Sequence, residues 1–242
     1  MRVSRFYVSS PLQPGITVEL PQWAAHHAVK VLRMSQGDNL LLFNGDGYDY
    51  RALLVVSGKY VAAEILLRQE ALAESSLKVT LAQGISSGER MEFTLQKAVE
   101  LGVHCIQPLQ TQRSVVKLSP EKAAKRQQHW QHVVVSACEQ SGRAIVPQVL
   151  PPKPLPLWLA ERESDTLIML DPGGERSLSS LPRCTSATLL IGPEGGFEPT
   201  ERQAAQHAGA LGIHLGPRIL RTETAALAAL SAMQTLWGDF AT

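Results

Sequence analysis

Over the first seventy positions, short apolar runs alternate with turn residues: ITVEL, NLLLF, YRALLVV and YVAAEILL, separated by Asn44-Gly45-Asp46-Gly47 and by Gly58. Runs this short, bounded by Asn, Asp and Gly, predict strands joined by hairpins and hence a small β-barrel or sandwich. One helix is expected to interrupt them, around Pro21 to Met34. Past the polar stretch Glu70 to Ser76 the pattern changes. Strand-like runs (LKVTLAQGI, HCIQPLQ, TLIMLD, ATLLIG, IHLG) now alternate with helix-like ones, which predicts a parallel α/β sheet with crossover helices. The chain therefore divides into a β region over 1–72 and an α/β region over 73–242.

Helix signals within the second region are specific. Met91, Leu95, Ala98 and Leu101 form one stripe that stops at Gly102, a suitable residue just past a helix end. Ser119 and Pro120 read as the N-cap and first residue of the next helix. PPKPLPL, from Pro151 to Leu157, reads as a rigid connector. The last helix, Thr224 to Phe240, is apolar on nearly all sides, so more than one face needs cover, and a homodimer interface is one way to supply it.

Composition narrows the class. A chain of 242 residues with 44% hydrophobic and 19% charged positions can bury a sizeable core. Its opening, MRVSRFYVSS, lacks a signal-type apolar run, and no later run is long enough for a membrane span, so a cytoplasmic location is expected. Cys105, Cys138 and Cys184 lie far apart, without zinc-ligand spacing, and are read as reduced thiols; no metal is expected. The net charge of +1 leaves nucleic-acid binding to local patches. Five basic residues against one acid, Glu121, between Gln112 and Trp130 make one such patch.

Three strand ends carry candidate chemistry. Ile191-Gly192-Pro193-Glu194-Gly195-Gly196-Phe197 places three glycines where a ligand can approach the backbone, at the carboxyl edge of a parallel sheet; a tight strand-to-helix turn is the alternative. Leu215 to Ala225, LGPRILRTETA, again runs from a strand end into a helix, with free amides and helix dipoles that suit a polar ligand. Here the alternative is that Thr222 or Thr224 caps the last helix while both arginines face water. Leu170-Asp171-Pro172-Gly173-Gly174 is a third end of the same type, and three such loops favour one common pocket. Neither GxGxxG nor GxxxxGK[ST] occurs, which turns the expectation from a dinucleotide or nucleoside triphosphate to a nucleoside without polyphosphate.

IGPEGGF, LGPRILRTETA, ERMEFTLQKAVELGV and ACEQSGR together resemble the signature blocks of the RsmE-type 16S ribosomal RNA uridine N3-methyltransferases of the SPOUT class. RFYV and HHAVKVLRMSQGD extend the likeness over most of the chain. The resemblance implies a small PUA-like RNA-binding β-barrel followed by an α/β SPOUT domain with a deep trefoil knot. It further implies bound S-adenosylmethionine, a homodimer with the site at the subunit interface, and 16S ribosomal RNA of the small subunit as substrate. Matched by motif, the cofactor loops are Leu170 with Asp171, Ile191 and Gly192 to Gly196 (with Pro193, Glu194 and Gly195 between), and Leu215 to Thr224 (Leu215, Gly216, Ile219, Leu220, Arg221, Thr222 and Thr224). Glu198 stands where the family commonly has Ser, so a weaker N-cap is expected there.

Methylating a uridine N3 requires removal of a proton and stabilisation of the uracil anion. Arg221 is the candidate stabiliser, and Glu223 and Glu139 are the candidate proton acceptors. Against this, Arg221 and Glu223 could form a structural ion pair and Glu139 an exposed helix position. RNA contacts are expected from Arg2, Arg5, Lys30 and Arg33 in the first region. In the second they are expected from Arg113, Lys117, Lys122, Lys125, Arg126, Gln140 and Arg143, although Lys122, Lys125 and Arg126 also read as a solvated helix face. His26 and His27 are RNA-facing or packing residues, and His129 with His132 reads as a surface pair rather than a metal site. Two rival readings remain at this point: a non-catalytic RNA-binding assembly factor, and a SPOUT methyltransferase acting on another nucleotide.

Overall fold

The computed structural model describes residues 3–162 and 165–240, which form two units. The smaller takes the chain up to Glu74 and a returning segment, Val135–Val146; the larger takes the remainder.

In the smaller unit the elements are β1 (Ser4–Tyr7), β2 (Thr17–Glu19), α1 (Gln22–His26), β3 (Asn39–Phe43), β4 (Tyr48–Ser57) and β5 (Tyr60–Glu70). Their sheet order is β1-β3-β4-β5-β2, with β1 parallel to β3 and the other pairs antiparallel. The first hairpin forms as its residues require. Gly45 and Gly47 adopt positive φ, Asn44 accepts the Asp46 N–H, and Asp46 accepts the Tyr48 N–H and the Tyr50 hydroxyl. Inward-facing Phe6, Leu40, Leu42, Tyr50, Leu54 and Ile65 fill the core. The expected single helix is α1 followed by a wider π-type turn over His27–Val31.

The return of Val135–Val146 to this unit was not legible in the sequence. Its cause is a set of charged groups taken out of water. Arg5 pairs with Asp49 at 2.5 Å and donates to the Arg143 carbonyl at 3.0 Å, while Arg143 pairs with Glu74 at 2.7 Å. Glu74 also accepts the Ile145 N–H, and Glu139 accepts the Tyr7 N–H at 2.9 Å. Buried charges persist only when paired and hydrogen-bonded in this way.

The larger unit contains β6 (Lys78–Gly84), α2 (Gly88–Glu100), β7 (Cys105–Gln110), α3 (Pro120–Ser141, whose last turns belong to the smaller unit), β8 (Gln148–Val149), β9 (Lys153–Pro154) and α4 (Leu155–Glu161). It continues through β10 (Thr166–Leu170), β11 (Arg176–Ser177), β12 (Ser186–Ile191), α5 (Pro199–His207), β13 (Leu211–His214) and α6 (Thr222–Trp237). The strands form a parallel sheet in the order β11-β13-β10-β12-β6-β7-β8, with β9 also on β7. The proline-rich stretch is more than a connector. Pro154 is the N-cap of α4, and Pro156 sits in its first turn, where a missing N–H costs nothing.

Helix α2 buries Met91, Thr94, Leu95, Ala98 and Val99 and ends at Gly102, with φ of 79°. Helix α6 packs against it through the fully buried Gln234, which donates to the Leu101 carbonyl and accepts from Ser75. An otherwise orphaned helix-end carbonyl is thereby satisfied. No helix among the described residues is long and apolar enough to cross a membrane.

Candidate active site

The carboxyl ends of β10, β12 and β13 converge. The loops that follow them line one cleft of about 1100 Å³, joined by the start of α6. Of the expected cofactor residues, Leu170, Asp171, Gly192 through Gly196, Leu215, Gly216 and Ile219 through Thr222 line it. Two do not: Ile191 is buried as the last residue of β12, paired with Gln83, and Thr224 is exposed outside the cleft.

The glycine-rich loop after β12 is braced by three neighbours. Gln83, at the end of β6, donates to the Thr222 hydroxyl at 2.9 Å, and Thr222 in turn donates to the Gly192 carbonyl at 2.6 Å. Thr222 therefore holds the loop and does not cap α6. Ser87 gives both its N–H and its hydroxyl to one oxygen of Glu194, with Arg90 at 3.4 Å. Burial alone would raise the pKa of Glu194, but the Ser87 bonds, its own N–H and Arg90 hold the carboxyl below its ordinary range. Arg113 closes the third side, donating to the Gly195 carbonyl at 2.9 Å and to Glu198 at 2.8 Å.

Glu198 does not weaken the entry into α5. It is the N-cap in extended conformation, and its N–H is accepted by Glu201 at 3.0 Å in a capping box. The hydrogen bond from Arg113 lowers the pKa of Glu198, so the substitution expected to loosen the loop instead supplies a partner for Arg113.

Charged groups concentrate at the cleft. Asp171 is buried, accepts the Gly173 N–H and lies 3.4 Å from Arg202. Arg221 is exposed and Glu223 half-buried, and no ion pair joins them. One oxygen of Glu194 and one of Glu223 are buried along the cleft with no partner. Arg90, Phe197, Arg202 and His214 also line the cleft, outside the loops expected to hold a cofactor, and Arg218 lines it from within the expected loop Leu215 to Thr224. Arg90 and Phe197 lie within quoted motifs, but only the fold aims them here.

Several expected residues lie elsewhere. Arg2 falls outside the described residues. Arg5 and Arg143 are corrected from RNA contacts to internal ion-pair partners, because their side chains are only 6% and 5% exposed and already committed to Asp49 and Glu74. Glu139 belongs to the smaller unit and does not line the cleft; its acceptor role toward Tyr7 is structural. Lys30, Arg33, Lys117, Lys122, Lys125, Arg126 and Gln140 are exposed. His129 pairs with Glu92, and no cluster of three metal-ligating side chains occurs among the described residues. All three cysteines are free thiols.

Glu139 supports a direct prediction. Burial pushes its carboxyl from the ordinary 4.5 up to about 7, against the pull of the Tyr7 N–H and Arg5. As pH climbs past 4.5 the unfolded chain releases this proton first, so stability falls from there to about 7 and the penalty is complete above it. A glutamine keeps the acceptor oxygen without the charge. Glu139→Gln is therefore expected to leave Tm unchanged at pH 4 and to raise it at pH 8 in parallel thermal scans. An equal effect at both pH values would contradict this assignment.

The larger unit is of the RNA methyltransferase class: the family described as "RNA methyltransferase domain" matches residues 73–234, and "RNA methyltransferase PUA domain" matches residues 24–66. A ribosomal RNA small subunit methyltransferase E of Buchnera aphidicola is 36% identical over 241 residues, covering 98% of each chain. Two solved structures align with 99% of this chain and 100% of theirs. One is a Neisseria gonorrhoeae ribosomal RNA small subunit methyltransferase E bound to S-adenosylmethionine (45% identity, TM-score 0.92), and the other a Legionella pneumophila methyltransferase with the same cofactor (42%, 0.95). The chain belongs to the ribosomal RNA small subunit methyltransferase E family.

Proposed function

We propose that this protein methylates N3 of a uridine in the 16S ribosomal RNA of the small subunit, using S-adenosylmethionine. The observation that carries the reading is the meeting of three strand ends in one cleft lined by carboxylate oxygens that have no partner of their own. Such a lining fits a ligand with positive charge and N–H donors, as the cofactor has in its sulfonium, ammonium and adenine groups. Gly192 to Gly196, Leu215 to Leu220, Thr222 and Asp171 are the residues that would hold it. When bound it supplies an electrophilic methyl group.

The chain's own residues do the rest. Glu223, with a free buried oxygen on the cleft, accepts the N3 proton. Arg221, charged at any physiological pH, stabilises the negative charge that develops on the uracil. Gln83, Thr222, Ser87 and Arg113 keep the glycine loop in place without entering the chemistry.

The finer architecture belongs to the same reading. A trefoil knot is supported by β13 lying between β10 and β11, with Gly174 of the linking segment so close to the Gly212–Ile213 backbone that a Cβ would come within 2.9 Å. Closure of the smaller sheet as a PUA-like barrel accords with the PUA family match. A homodimer would cover Phe93, Leu236 and Phe240, which remain exposed on and beside α2 and α6. Family membership favours a cytoplasmic location.

The test is incubation with labelled cofactor and small subunits lacking the modification, followed by digestion and mass spectrometry of the RNA. Label on uridine N3 is expected. No label would leave the assembly-factor reading, and a methyl group elsewhere would leave a different nucleotide as target.

A further inference from the structure

The exposed face of α1 and the π-type turn after it has no role in the site above. Trp23, His26 and Lys30 stand at spacings of three and four along it, opposite the buried Ala24 and Ala28. His27 points the other way, its ring edge-on to Phe6 at 5.9 Å, and is a packing residue. The backbone beyond it is unusual. Leu32 donates to the His27 carbonyl and Met34 to that of Ala28, and Arg33 holds φ of 55°, the one positive value among the described non-glycine residues. Widened turns and left-handed non-glycine residues are features that folds keep where function uses them.

The surface they display is aromatic, aliphatic and basic at once. Trp23 is 46% exposed, Val31 59% and Leu32 43%, beside exposed Lys30 and Arg33. From Leu20 to Gly37 the chain has no Asp or Glu, and the carboxylate that follows, Asp38, accepts the Ser35 N–H in its own turn. Two unneutralised cations beside a bare indole complement one kind of ligand: phosphates to meet the charges and a free base to stack on the ring. Paired RNA hides its base faces, so the strand must be unpaired there.

We propose that Trp23, Lys30 and Arg33 form a docking site for a single-stranded RNA segment, with Trp23 stacking on an unpaired base and Lys30 and Arg33 on neighbouring phosphates. The site rests on RNA being the substrate and adds where the strand is held and in what form. Trp23 and Lys30 lie roughly 10 Å apart along the helical path, so one strand reaches both.

The other tryptophans, Trp130, Trp158 and Trp237, are buried at 3%, 7% and 6% exposure, so quenching of indole fluorescence by added RNA reports Trp23. A single-stranded 12-nucleotide oligouridylate is expected to quench it, whereas a blunt duplex of equal length is not. Trp23→Phe should abolish the quenching yet retain most of the affinity measured by anisotropy of the labelled strand. Trp23→Ala should weaken that affinity roughly tenfold. Alanine at both Lys30 and Arg33 should flatten the salt dependence of log K by about 1.4. In the subunit assay, Trp23→Ala should raise KM more than it lowers kcat.

Equal quenching by duplex, unaltered affinity of Trp23→Ala, or a Trp23→Ala change in oligomeric state without RNA would each overturn the site. The last would assign the face to a second copy of the chain. If the parent protein methylates subunits and these variants behave like it, only the docking site fails. If the parent transfers no methyl group but binds the strand through Trp23, only the enzymatic reading does.

Discussion

Replacing Arg221 with alanine is expected to cut methyl transfer by about two to three orders of magnitude, the usual consequence of removing one donor that faces developing charge. The guanidinium is exposed at the cleft and forms no ion pair with Glu223, so no structural partner is stranded by its loss. Its contribution grows as the N3 proton departs, and the deficit should accordingly fall on kcat more than on the KM for small subunits. Calorimetry separates this from a damaged cleft, because S-adenosylmethionine should still give saturable heat. Raising the pH should narrow the gap between variant and parent, since free hydroxide then shares the burden of deprotonating the base. A variant with kcat within threefold of the parent, or one that gives no saturable heat, would remove Arg221 from the anion-stabilising role.

Why the position of Arg221 on the cleft was legible in the sequence while the burial of other arginines was not comes down to range. Glycines at a strand end are a local signal: the motifs after β10, β12 and β13 each announce that something approaches the backbone, and three of them on one sheet edge have little choice but to share a cleft. Arg5 and Arg143 carry no local sign of their partners. Asp49 lies 44 positions from Arg5 and Glu74 lies 69 from Arg143, and only the fold decides that a cation meets a carboxylate inside rather than a phosphate outside. The same distance hides the return of Val135–Val146 to the smaller unit and the position of Glu139 within it.

Glu198 is the instructive local failure. Judged as an N-cap alone it looks poorer than serine, but two groups outside its own turn change the balance: Glu201 takes its N–H, and Arg113 reaches across from the end of β7 to its carboxylate. The loop that carries the glycines is thus set by contacts from β6, β7 and α6 as much as by its own sequence. Propensity along the chain cannot register such bracing, because each brace comes from a different element.

That bracing gives the second large effect. Gly84 ends β6 where a Cβ would lie 2.5 Å from the Pro193 nitrogen and 2.9 Å from the Gly192 carbonyl carbon, both main-chain atoms that cannot rotate aside. Gly84→Ala is therefore expected to displace the Gly192–Gly196 loop and to destabilise the fold by about 1–3 kcal/mol, as overpacking does. Methyl transfer should fall on the order of a hundredfold, because the loop proposed to hold the methyl donor moves with it. Unlike Arg221→Ala, this variant should lose cofactor affinity in calorimetry. Gly88→Ala is the matched control: a Cβ there meets nothing within 4 Å, the φ is ordinary, and the position opens α2. Alanine at 88 should therefore leave cofactor binding unchanged and hold or slightly raise Tm. Were the two substitutions to behave alike, the close approach of β6 to the glycine loop would have no part in shaping the cleft.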